Sequence, residues 1–517
     1  MRMKKSLLIL IVFAILALST QAQITFHKTY NSCNFCYGEA YAVQQTSDGG
    51  YIMTGYIESY IYLVKTDANG DTLWTRTYGN AVDYHKGYSV QQTNDGGYVI
   101  AGITENSTSV PVHIYLIKTN SNGDTLWTKS YGSAGNDYGY SVRQTMDNGF
   151  IIAGTTDSLG AGGVDVFLIK TNSIGDTLWT KTYGGINDDG AKSIELTTDG
   201  GYIIAGYTKS FGAGSDDVYL IKTDSIGDTL WTKTYGSIYY DYGYSVKQTS
   251  DGGYIITGMS NFGNRIYLIK TNSIGDTLWT KAYGKYGSGT DYAYSVQQTS
   301  DGGYIMVGIT VNPIDPYYEP LLIKTNSIGE TLWAKHYLDG APGYNIGYYV
   351  QQSTDGGYII AGETAGNMLL IKTDENGNSG CLQTDPTINL YSIPFQVSNT
   401  STIIHSGCMV SNPSKTVGSG GIVTTSCFST GINEIKATED ISIYPNPATN
   451  LLTISLPDKN IKSCTINLYD MLGEKMLGEL RVENGALRID VSTLLQGIYF
   501  LEVVMDNEKV VRKVVKI

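Results

Sequence analysis

The stretch Gly139-Tyr-Ser-Val-Arg-Gln-Thr-Met-Asp-Asn-Gly-Phe150-Ile-Ile-Ala-Gly-Thr155 is one copy of a motif that recurs along most of the chain. The aromatic residue after its last turn glycine recurs at Tyr51, Tyr98, Phe150, Tyr202, Tyr254, Tyr304 and Tyr358. A second signature, Ile/Val-Lys-Thr, follows each copy and places a lysine at Lys65, Lys118, Lys170, Lys222, Lys270, Lys324 and Lys372. A period of about 50 residues indicates a solenoid, a propeller or another repeat array.

Each copy predicts four short strands and no helix. In one copy these are residues 243–249, 254–260, 266–271 and 276–283, all rich in Tyr, Ile, Val, Thr or Trp. Asp251-Gly252 joins the first two as a hairpin, because Asp-Gly readily accepts positive φ. Four antiparallel strands in each of seven copies predict an all-β fold, a seven-bladed β-propeller.

The two ends of the repeat region predict how the ring closes. Six copies continue into Thr-Leu-Trp, but the seventh stops near Gly377 without this strand. The segment 25–30 matches 73–78, with Phe26 in the position of Trp74. We therefore expect the N-terminal strand to complete the last blade and to remove two exposed sheet edges.

Composition and local patterns divide the chain into four parts. Arg2, Lys4 and Lys5 precede an apolar run over residues 7–18, which predicts a secretory signal peptide over residues 1–22. The propeller is predicted over 23–380, a Ser/Thr/Gly-rich β spacer over 381–435 and a C-terminal domain over 436–517. No later apolar run is long enough to predict a transmembrane segment. The net charge of −13 argues against a nucleic-acid partner.

Cysteine usage fits an exported protein. The six cysteines stand at positions 33, 36, 381, 408, 427 and 464, and sequence alone does not give their pairing. For Cys33 and Cys36 a local disulfide is favoured over a zinc site, because no second pair stands at zinc-ligand spacing.

Loops of variable sequence are the candidate ligand-binding surface. The predicted topology puts the tight turns on one face and the variable connections on the other, where a rigid scaffold usually presents function. The tyrosines singled out for ligand binding are Tyr239, Tyr240, Tyr242, Tyr317 and Tyr318. Tyrosine-rich loops are typical of amphipathic binding faces, although tyrosine is also simply abundant in this chain.

An acidic residue precedes the first strand of several repeats. Asp137, Asp189, Asp241 and Asp291 occupy this position, with His85 and Asn345 at equivalent places. A ring of carboxylates at the mouth of a central channel would suit calcium, which prefers oxygen ligands. The alternative is that each Asp bonds amides of its own loop, as in Asx turns. No metal site and no other cofactor is predicted, and no nucleophile elbow, P-loop or zinc-protease motif occurs.

The tail carries the most specific motifs. They are Tyr444-Pro445-Asn446-Pro447, residues 470–473 ending at Gly473, Gly497-Ile498-Tyr499-Phe500 and a lysine-rich terminus. Short strands with frequent turns predict a small β-sandwich. Residues 440–517 resemble the C-terminal sorting domain of the type IX secretion system of Bacteroidetes. The resemblance implies export across the outer membrane by the type IX secretion machinery, followed by release or attachment at the cell surface.

The repeats carry two weaker resemblances. Their Gly-x-x-x-Trp ending resembles the tryptophan-docking repeat of quinoprotein-type propellers, although the repeat number and the lack of adjacent cysteines give no reason to expect a quinone cofactor. They are more similar to the Asp-Gly-Gly-Tyr arrays of exported Bacteroidetes proteins.

Two function classes follow from these patterns. We expect a secreted or surface-displayed monomer that acts as a binding or adhesion module for a glycan or peptide. The alternative is an extracellular lyase or glycosidase that uses loop carboxylates such as Asp188, Asp189, Asp216 and Asp217. The near-identity of the repeats favours binding, because a catalytic site breaks repeat symmetry.

Overall fold

The computed structural model describes residues 23–30, 37–105, 111–261, 263–284, 291–311, 318–337 and 344–380, and shorter stretches between 383 and 516. The described residues contain no helix, and their strands form nine antiparallel sheets. None of these residues lies in a helix long and apolar enough to cross a membrane. The predicted signal peptide and the predicted Cys33–Cys36 disulfide lie outside the described residues.

Seven of the sheets are built from the repeats, and we number them repeat sheets 1 to 7. Strand β1 spans Phe26–Tyr30. Sheet 1 contains β2 (Gly38–Gln45), β3 (Tyr51–Ile57), β4 (Tyr60–Thr66) and β5 (Thr72–Tyr78). Sheet 2 contains β6 (Tyr84–Gln92), β7 (Tyr98–Glu105), β8 (His113–Thr119) and β9 (Thr125–Gly132). Sheet 3 contains β10 (Asp137–Gln144), β11 (Phe150–Thr156), β12 (Asp165–Thr171) and β13 (Thr177–Gly184).

Sheets 4 to 7 repeat this pattern. Sheet 4 contains β14 (Asp189–Leu196), β15 (Tyr202–Thr208), β16 (Asp217–Thr223) and β17 (Thr229–Gly236). Sheet 5 contains β18 (Asp241–Gln248), β19 (Tyr254–Ser260), β20 (Arg265–Thr271) and β21 (Thr277–Gly284). Sheet 6 contains β22 (Asp291–Gln298), β23 (Tyr304–Val311), β24 (Tyr318–Thr325) and β25 (Thr331–Tyr337). Sheet 7 contains β26 (Asn345–Gln352), β27 (Tyr358–Thr364) and β28 (Asn367–Thr373), with β1 as its fourth strand.

The two signature motifs of each repeat meet in an ion pair. In sheet 1, Lys65 Nζ lies 2.8 Å from Asp48 Oδ2, and the lysine is buried. Asp48 Oδ1 also accepts the Gly50 N–H at 3.0 Å, which fixes the Asp-Gly-Gly turn. A Cβ at Gly50 would lie 2.1 Å from the Thr66 carbonyl oxygen, so only glycine fits there. The same lysine–aspartate pair forms in the other repeats, at Lys118–Asp95, Lys170–Asp147, Lys222–Asp199, Lys270–Asp251, Lys324–Asp301 and Lys372–Asp355.

The tryptophans pack each sheet against the next. Trp74 of sheet 1 makes an edge-on contact with Tyr98 of sheet 2, with ring centroids 5.9 Å apart. It covers Gly123 in the turn of sheet 2, and the Tyr78 hydroxyl donates to the Gly123 carbonyl at 2.7 Å. Aromatic pairs of this geometry add stability beyond their buried area, so these contacts join successive sheets.

Strand β1 makes the same contacts between sheet 7 and sheet 1. It pairs antiparallel with β28 and sets Phe26 opposite Lys372, as Trp74 stands opposite Lys65. Phe26 packs edge-on against Tyr51 at 6.1 Å, and the Tyr30 hydroxyl donates to the Gly70 carbonyl at 2.6 Å. This pairing is the one that the sequence predicts for residues 25–30.

The first strand of each repeat sheet contacts the first strand of the next one. This series runs from β2 through β6, β10, β14, β18 and β22 to β26, and β26 contacts β2 again. We call these first strands the inner strands and the fourth strands the outer strands. The contacts of the inner strands therefore return to their starting point.

Residues 383–425, which we call the belt, add strands to the outer edges of the repeat sheets. The belt strands are β29 (Gln383–Thr384), β30 (Asn389–Tyr391), β31 (Gln396–Asn399), β32 (Ile403–His405), β33 (Met409–Ser411), β34 (Lys415–Gly418) and β35 (Ile422–Thr425). In order, β29 to β34 pair with the outer strands of sheets 6, 5, 4, 3, 2 and 1, and β35 pairs with β34. The sequence predicts β-strands here but as a separate spacer. The strands are too short to form a stable sheet of their own, whereas each outer strand offers unpaired backbone groups.

The C-terminal compact unit comprises residues Gly431–Ile517, and the first unit comprises Met1–Thr430. Its strands are β36 (Ser442–Tyr444), β37 (Leu451–Ser455), β38 (Cys464–Tyr469), β39 (Lys475–Arg481), β40 (Ala486–Asp490), β41 (Gly497–Met505) and β42 (Glu508–Lys516). They form a three-stranded sheet, β36-β37-β40, and a four-stranded sheet, β39-β38-β41-β42. Apolar residues of both sheets, among them Leu452, Ile489, Leu501 and Val514, share one core.

Candidate functional site

A β-bulge in every inner strand aims one side chain into a central cavity. The pairing of β10 with β11 skips Tyr140, and the same shift occurs in each of the other inner strands. A bulged residue is unpaired and re-aims its side chain, which is why bulges often occur at sites. The bulged residues are Tyr41, Tyr88, Tyr140, Lys192, Tyr244, Tyr294 and Tyr348, and all of them line the cavity.

The cavity has a volume of about 120 Å³, and the bulged residues contribute six tyrosines and one lysine to its lining. Neighbouring tyrosine rings lie close together: the centroids are 5.0 Å apart for Tyr41 and Tyr88 and 5.3 Å apart for Tyr88 and Tyr140. In sheet 4 the tyrosine is replaced by Lys192, whose Nζ lies 3.8 Å from the centroid of the Tyr140 ring. The lysine is therefore held by a cation–π contact.

Three adjacent inner strands carry a charged residue where the other inner strands carry glutamine, three positions after the bulged residue. Where it is present, this glutamine can accept a backbone N–H of the neighbouring sheet, as Gln91 Oε1 does from the Gln144 N–H at 2.7 Å. Sheets 3, 4 and 5 instead carry Arg143, Glu195 and Lys247. Glu195 accepts hydrogen bonds from both neighbours, with Arg143 Nη2 at 3.3 Å. Burial opposes ionisation of Glu195, but the charges of Lys247 and Arg143 outweigh it and lower its pKa to about 2.

A second cluster joins two carboxylates, Glu39 near the start of β2 in sheet 1 and Glu363 near the end of β27 in sheet 7. The Tyr37 hydroxyl lies 2.7 Å from Glu363 Oε1 and 3.2 Å from Glu39 Oε1. Tyr56 and Tyr348 also donate to Glu39, at 2.8 and 2.9 Å. Burial, more than the neighbouring Glu39 charge, raises the pKa of Glu363 to about 7. One carboxyl of this cluster therefore exchanges its proton near neutral pH.

The tyrosines singled out from the sequence lie at three places. Tyr239 and Tyr240 are exposed, at 44% and 45%, in the connection between sheets 4 and 5. Tyr242 donates to Asp216 Oδ2 at 2.6 Å and stacks on Tyr244 of the cavity, at 6.1 Å between centroids. Tyr318 stacks on Tyr344 at 4.9 Å, and Tyr317 lies outside the described residues. Of these five, Tyr242 is the residue that connects the loops to the cavity through its ring contacts.

Further exposed apolar residues stand in the connections that precede inner strands. Tyr37 precedes β2, Val82 precedes β6, Ile186 precedes β14 and Tyr344 precedes β26, and all four are exposed. Ile238 accompanies Tyr239 and Tyr240 before β18 and is 69% exposed. These connections form the variable-loop face, and their apolar side chains give it an amphipathic surface.

The four aspartates singled out from the sequence do not line the central cavity. Asp137, Asp189, Asp241 and Asp291 are fully buried and begin the inner strands β10, β14, β18 and β22. Three of them accept a backbone N–H four residues earlier: Asp137 from Ser133 at 2.8 Å, Asp189 from Gly185 at 2.7 Å and Asp241 from Ser237 at 2.7 Å. This is the alternative in which each carboxylate fixes its own loop.

The equivalent residues of other repeats have similar local roles. Asn345 accepts the Thr364 hydroxyl at 2.6 Å, and His85 Nε2 accepts the Asn80 N–H at 3.3 Å. Burial lowers the pKa of His85 to about 4. Across the residues that the structure describes, no three His, Cys, Asp or Glu side chains group as metal ligands.

Sequence reasoning missed the charged residues of the central cavity and of the second cluster. Lys192, Arg143 and Lys247, like Glu39 and Glu363, stand where other repeats carry a different residue type. A comparison of the seven copies position by position would have shown these departures. Their mutual proximity depends on the bulges and on the neighbouring inner strands, which the linear motif does not specify.

The sorting-motif residues that the structure describes lie in the C-terminal unit. Tyr499 is buried in its core and donates to the Leu495 carbonyl at 2.8 Å. Gly497 begins β41, and Tyr444 ends β36. Pro445, Asn446, Pro447 and Gly473 lie outside the described residues.

Solved structures with some similarity to this chain are remote. A glucose dehydrogenase has 11% identity and a TM-score of 0.33, and the match covers 57% of this chain and 99% of that one. A mannose phosphorylase from Leishmania mexicana in complex with phosphate ion has 12% identity and a TM-score of 0.30, covering 57% and 86%. The extracellular domain of a putative one component system from B. thetaiotaomicron has 10% identity and a TM-score of 0.17, covering 95% and 75%. Such low similarity says nothing about activity.

A search of curated proteins found no match to this chain. The tail, in contrast, matches a family model. The family model described as the secretion system C-terminal sorting domain matches residues 442–517. This match agrees with the resemblance seen in the tail motifs. Residues 442–517 are therefore a type IX sorting domain, and the protein that carries it is secreted and attached to the cell surface.

Proposed function

We propose that the seven repeat sheets form a seven-bladed β-propeller that acts as a binding or adhesion module at the cell surface. The ligand, a glycan or a peptide, binds on the variable-loop face around the mouth of the central cavity. Type IX export brings this face to the outside of the cell, where such ligands occur.

The observation that carries the proposal is the amphipathic character of the variable-loop face. Tyr239, Tyr240 and Tyr344 are exposed on connections that lead into the inner strands. Behind them, Tyr242 links the loops to the ring of cavity tyrosines. Tyrosine supplies a rigid apolar ring and a hydroxyl, so it binds sugars and peptides at a small entropic cost.

The test is a glycan array and a peptide array probed with the full mature chain. The double variant Tyr239→Ser, Tyr240→Ser removes two exposed rings without touching the core. The control is Ile174→Ser, because Ile174 is even more exposed, at 59%, in a tight turn on the opposite face.

We expect the wild type and the Ile174 variant to bind the same ligands. The double variant should bind at least tenfold more weakly, which corresponds to about 1.4 kcal/mol. Equal binding by all three proteins would contradict the proposed face, and a complete lack of ligands would contradict the proposed function.

An enzyme is the second candidate, and Glu39 with Glu363 is the observation that favours it. The two carboxyls share the Tyr37 hydroxyl, and Glu363 has a pKa of about 7, as a general acid at neutral pH requires. Asp188 is paired with Lys209, while Asp189, Asp216 and Asp217 are buried, which makes these loop carboxylates poor catalytic candidates. Release of reducing sugar by the wild type, abolished in Glu363→Gln, would support a lyase or glycosidase. Binding without turnover would exclude it.

A further inference from the structure

The central cavity contains more positive than negative charge. Arg143, Lys192 and Lys247 line it, and no carboxylate stands among the described residues that line it. Glu195, just outside the lining, is bonded to both Arg143 and Lys247 and neutralises one of these charges. Arg143, Lys192, Lys247 and Glu195 together therefore carry a charge of +2, in a chain whose net charge is −13.

Of the three cavity cations, Lys192 is the one with no carboxylate partner among the described residues. Its Nζ lies over the face of the Tyr140 ring, 3.8 Å from the ring centroid. Burial lowers the pKa of Lys192 to about 8, so the ammonium is still mostly protonated at neutral pH. A half-buried ammonium without a counter-charge is costly to the fold, because a ring face replaces only part of its hydration.

The position of Lys192 makes this cost specific to one repeat. Six of the seven bulged positions carry tyrosine, which packs against its neighbours in tilted ring contacts and brings no charge. In sheet 4 the lysine interrupts the ring of aromatics and points its charge into a cavity of about 120 Å³. That volume is several times the roughly 15 Å³ that one water needs, so a small polyatomic ion fits.

We propose that the central cavity binds a small oxyanion or a carboxylate group, with the Lys192 ammonium as its counter-charge and Arg143 and Lys247 as flanking cations. The anion lies between the tyrosine ring and the charged residues of sheets 3 to 5. It comes either as a free inorganic ion or as the acidic group of a sugar, and both present the same oxygen acceptors to the ammonium. This site is separate from the exposed tyrosines of the variable-loop face.

The experiment is isothermal titration calorimetry on the full mature chain at constant ionic strength. The probes are sodium sulfate, sodium phosphate and sodium glucuronate, which separate a free inorganic anion from an acidic sugar. Lys192→Tyr restores the residue of the other six repeats, and Lys192→Met removes the charge but keeps the length of the side chain. Lys281→Gln, on the outer strand of sheet 5, is the control for a general loss of positive charge.

We expect one site per chain for at least one probe, binding at least tenfold weaker in both Lys192 variants, and no change in Lys281→Gln. Saturable binding of sulfate or phosphate alone would identify a free anion, and binding of glucuronate alone would identify an acidic sugar. The proposal is overturned if no probe binds at millimolar concentration, or if the Lys192 variants bind as tightly as the wild type. The array experiment on the variable-loop face is independent of this result, so the two proposals fail separately.

Discussion

Replacing Phe26 by alanine should loosen the junction between sheet 7 and sheet 1. Phe26 is buried against Tyr51 and the turn at Gly70, and it is the aromatic anchor of β1. A buried aromatic ring covers at least about 150 Å², which at about 25 cal/mol per Å² gives about 4 kcal/mol. Measured Phe→Ala costs in cores are about 3–5 kcal/mol, in the same range.

The edge position of β1 limits how much of this cost reaches the whole fold. Among the described strands β1 pairs with β28 alone, at the edge of sheet 7, so it can detach without unfolding β28. The loss therefore appears as local opening, and hydrogen exchange is the appropriate assay. Trp333→Ala is the matched control. Trp333 makes the same contact with Tyr358, at 5.8 Å between ring centroids, but its strand follows the other strands of its sheet directly along the chain.

We expect Phe26→Ala to speed amide exchange in β1 and β28 by about a hundredfold or more, with a small change elsewhere. Trp333→Ala should lower the melting temperature without selective exchange at the sheet 7 edge. Unchanged exchange of β28 in Phe26→Ala would refute the view that the N-terminal strand joins sheet 7 to sheet 1.

Three further predictions concern the tail, the belt and the lysine–aspartate pairs. Residues 436–517 fused to a reporter should carry it to the surface of a type IX-competent host, and a reporter retained in the periplasm would contradict the sorting function. A chain truncated at Gly380 loses the belt and exposes six outer strands, so it should self-associate in light scattering, whereas a monomer as stable as the full chain would count against the belt. Despite partial burial, the paired lysine lowers the pKa of Asp95, Asp251 and Asp301 to about 2, below the usual value of about 3.9. Their stabilising effect is complete above pH 4 and is lost as the pH falls through 2. The melting temperature should therefore fall steeply between pH 4 and pH 2 in the wild type, and less steeply in Asp301→Asn. An equal fall in the wild type and the variant would argue against the ion pair.

The sequence predicted the features that repeat and that depend on local chemistry. The glycines of Asp-Gly-Gly stand in turns, and Phe26 takes the place of a tryptophan, because both choices follow from local backbone or packing needs. It predicted a ring of aspartates at the mouth of a central channel, with bonds to their own loops as the alternative; the aspartates are absent from the cavity lining, and three of them bond to their own loops. The bulge at Tyr140 interrupts the two-residue alternation of side chains, so Tyr140 and Ser141 both line the cavity and Tyr138 stacks on Tyr140. The Asp137 carboxylate instead accepts the Ser133 N–H of its own loop.

Other features are not encoded in any local motif. The belt pairs through backbone groups, so its short strands carry no side-chain pattern that names their partners. Lys192 becomes a neighbour of Arg143 and Lys247 through the side-by-side placement of three inner strands, about 50 residues apart in the chain. Such contacts between repeats require the tertiary structure.

The most direct test of the account is hydrogen exchange of the full mature chain with and without its array-identified ligand. We predict that protection concentrates in the connections that precede the inner strands, above all residues 237–241, and in the Tyr344 connection. Protection confined to the Asp-Gly-Gly turns or to the outer strands would contradict the variable-loop face as the binding surface.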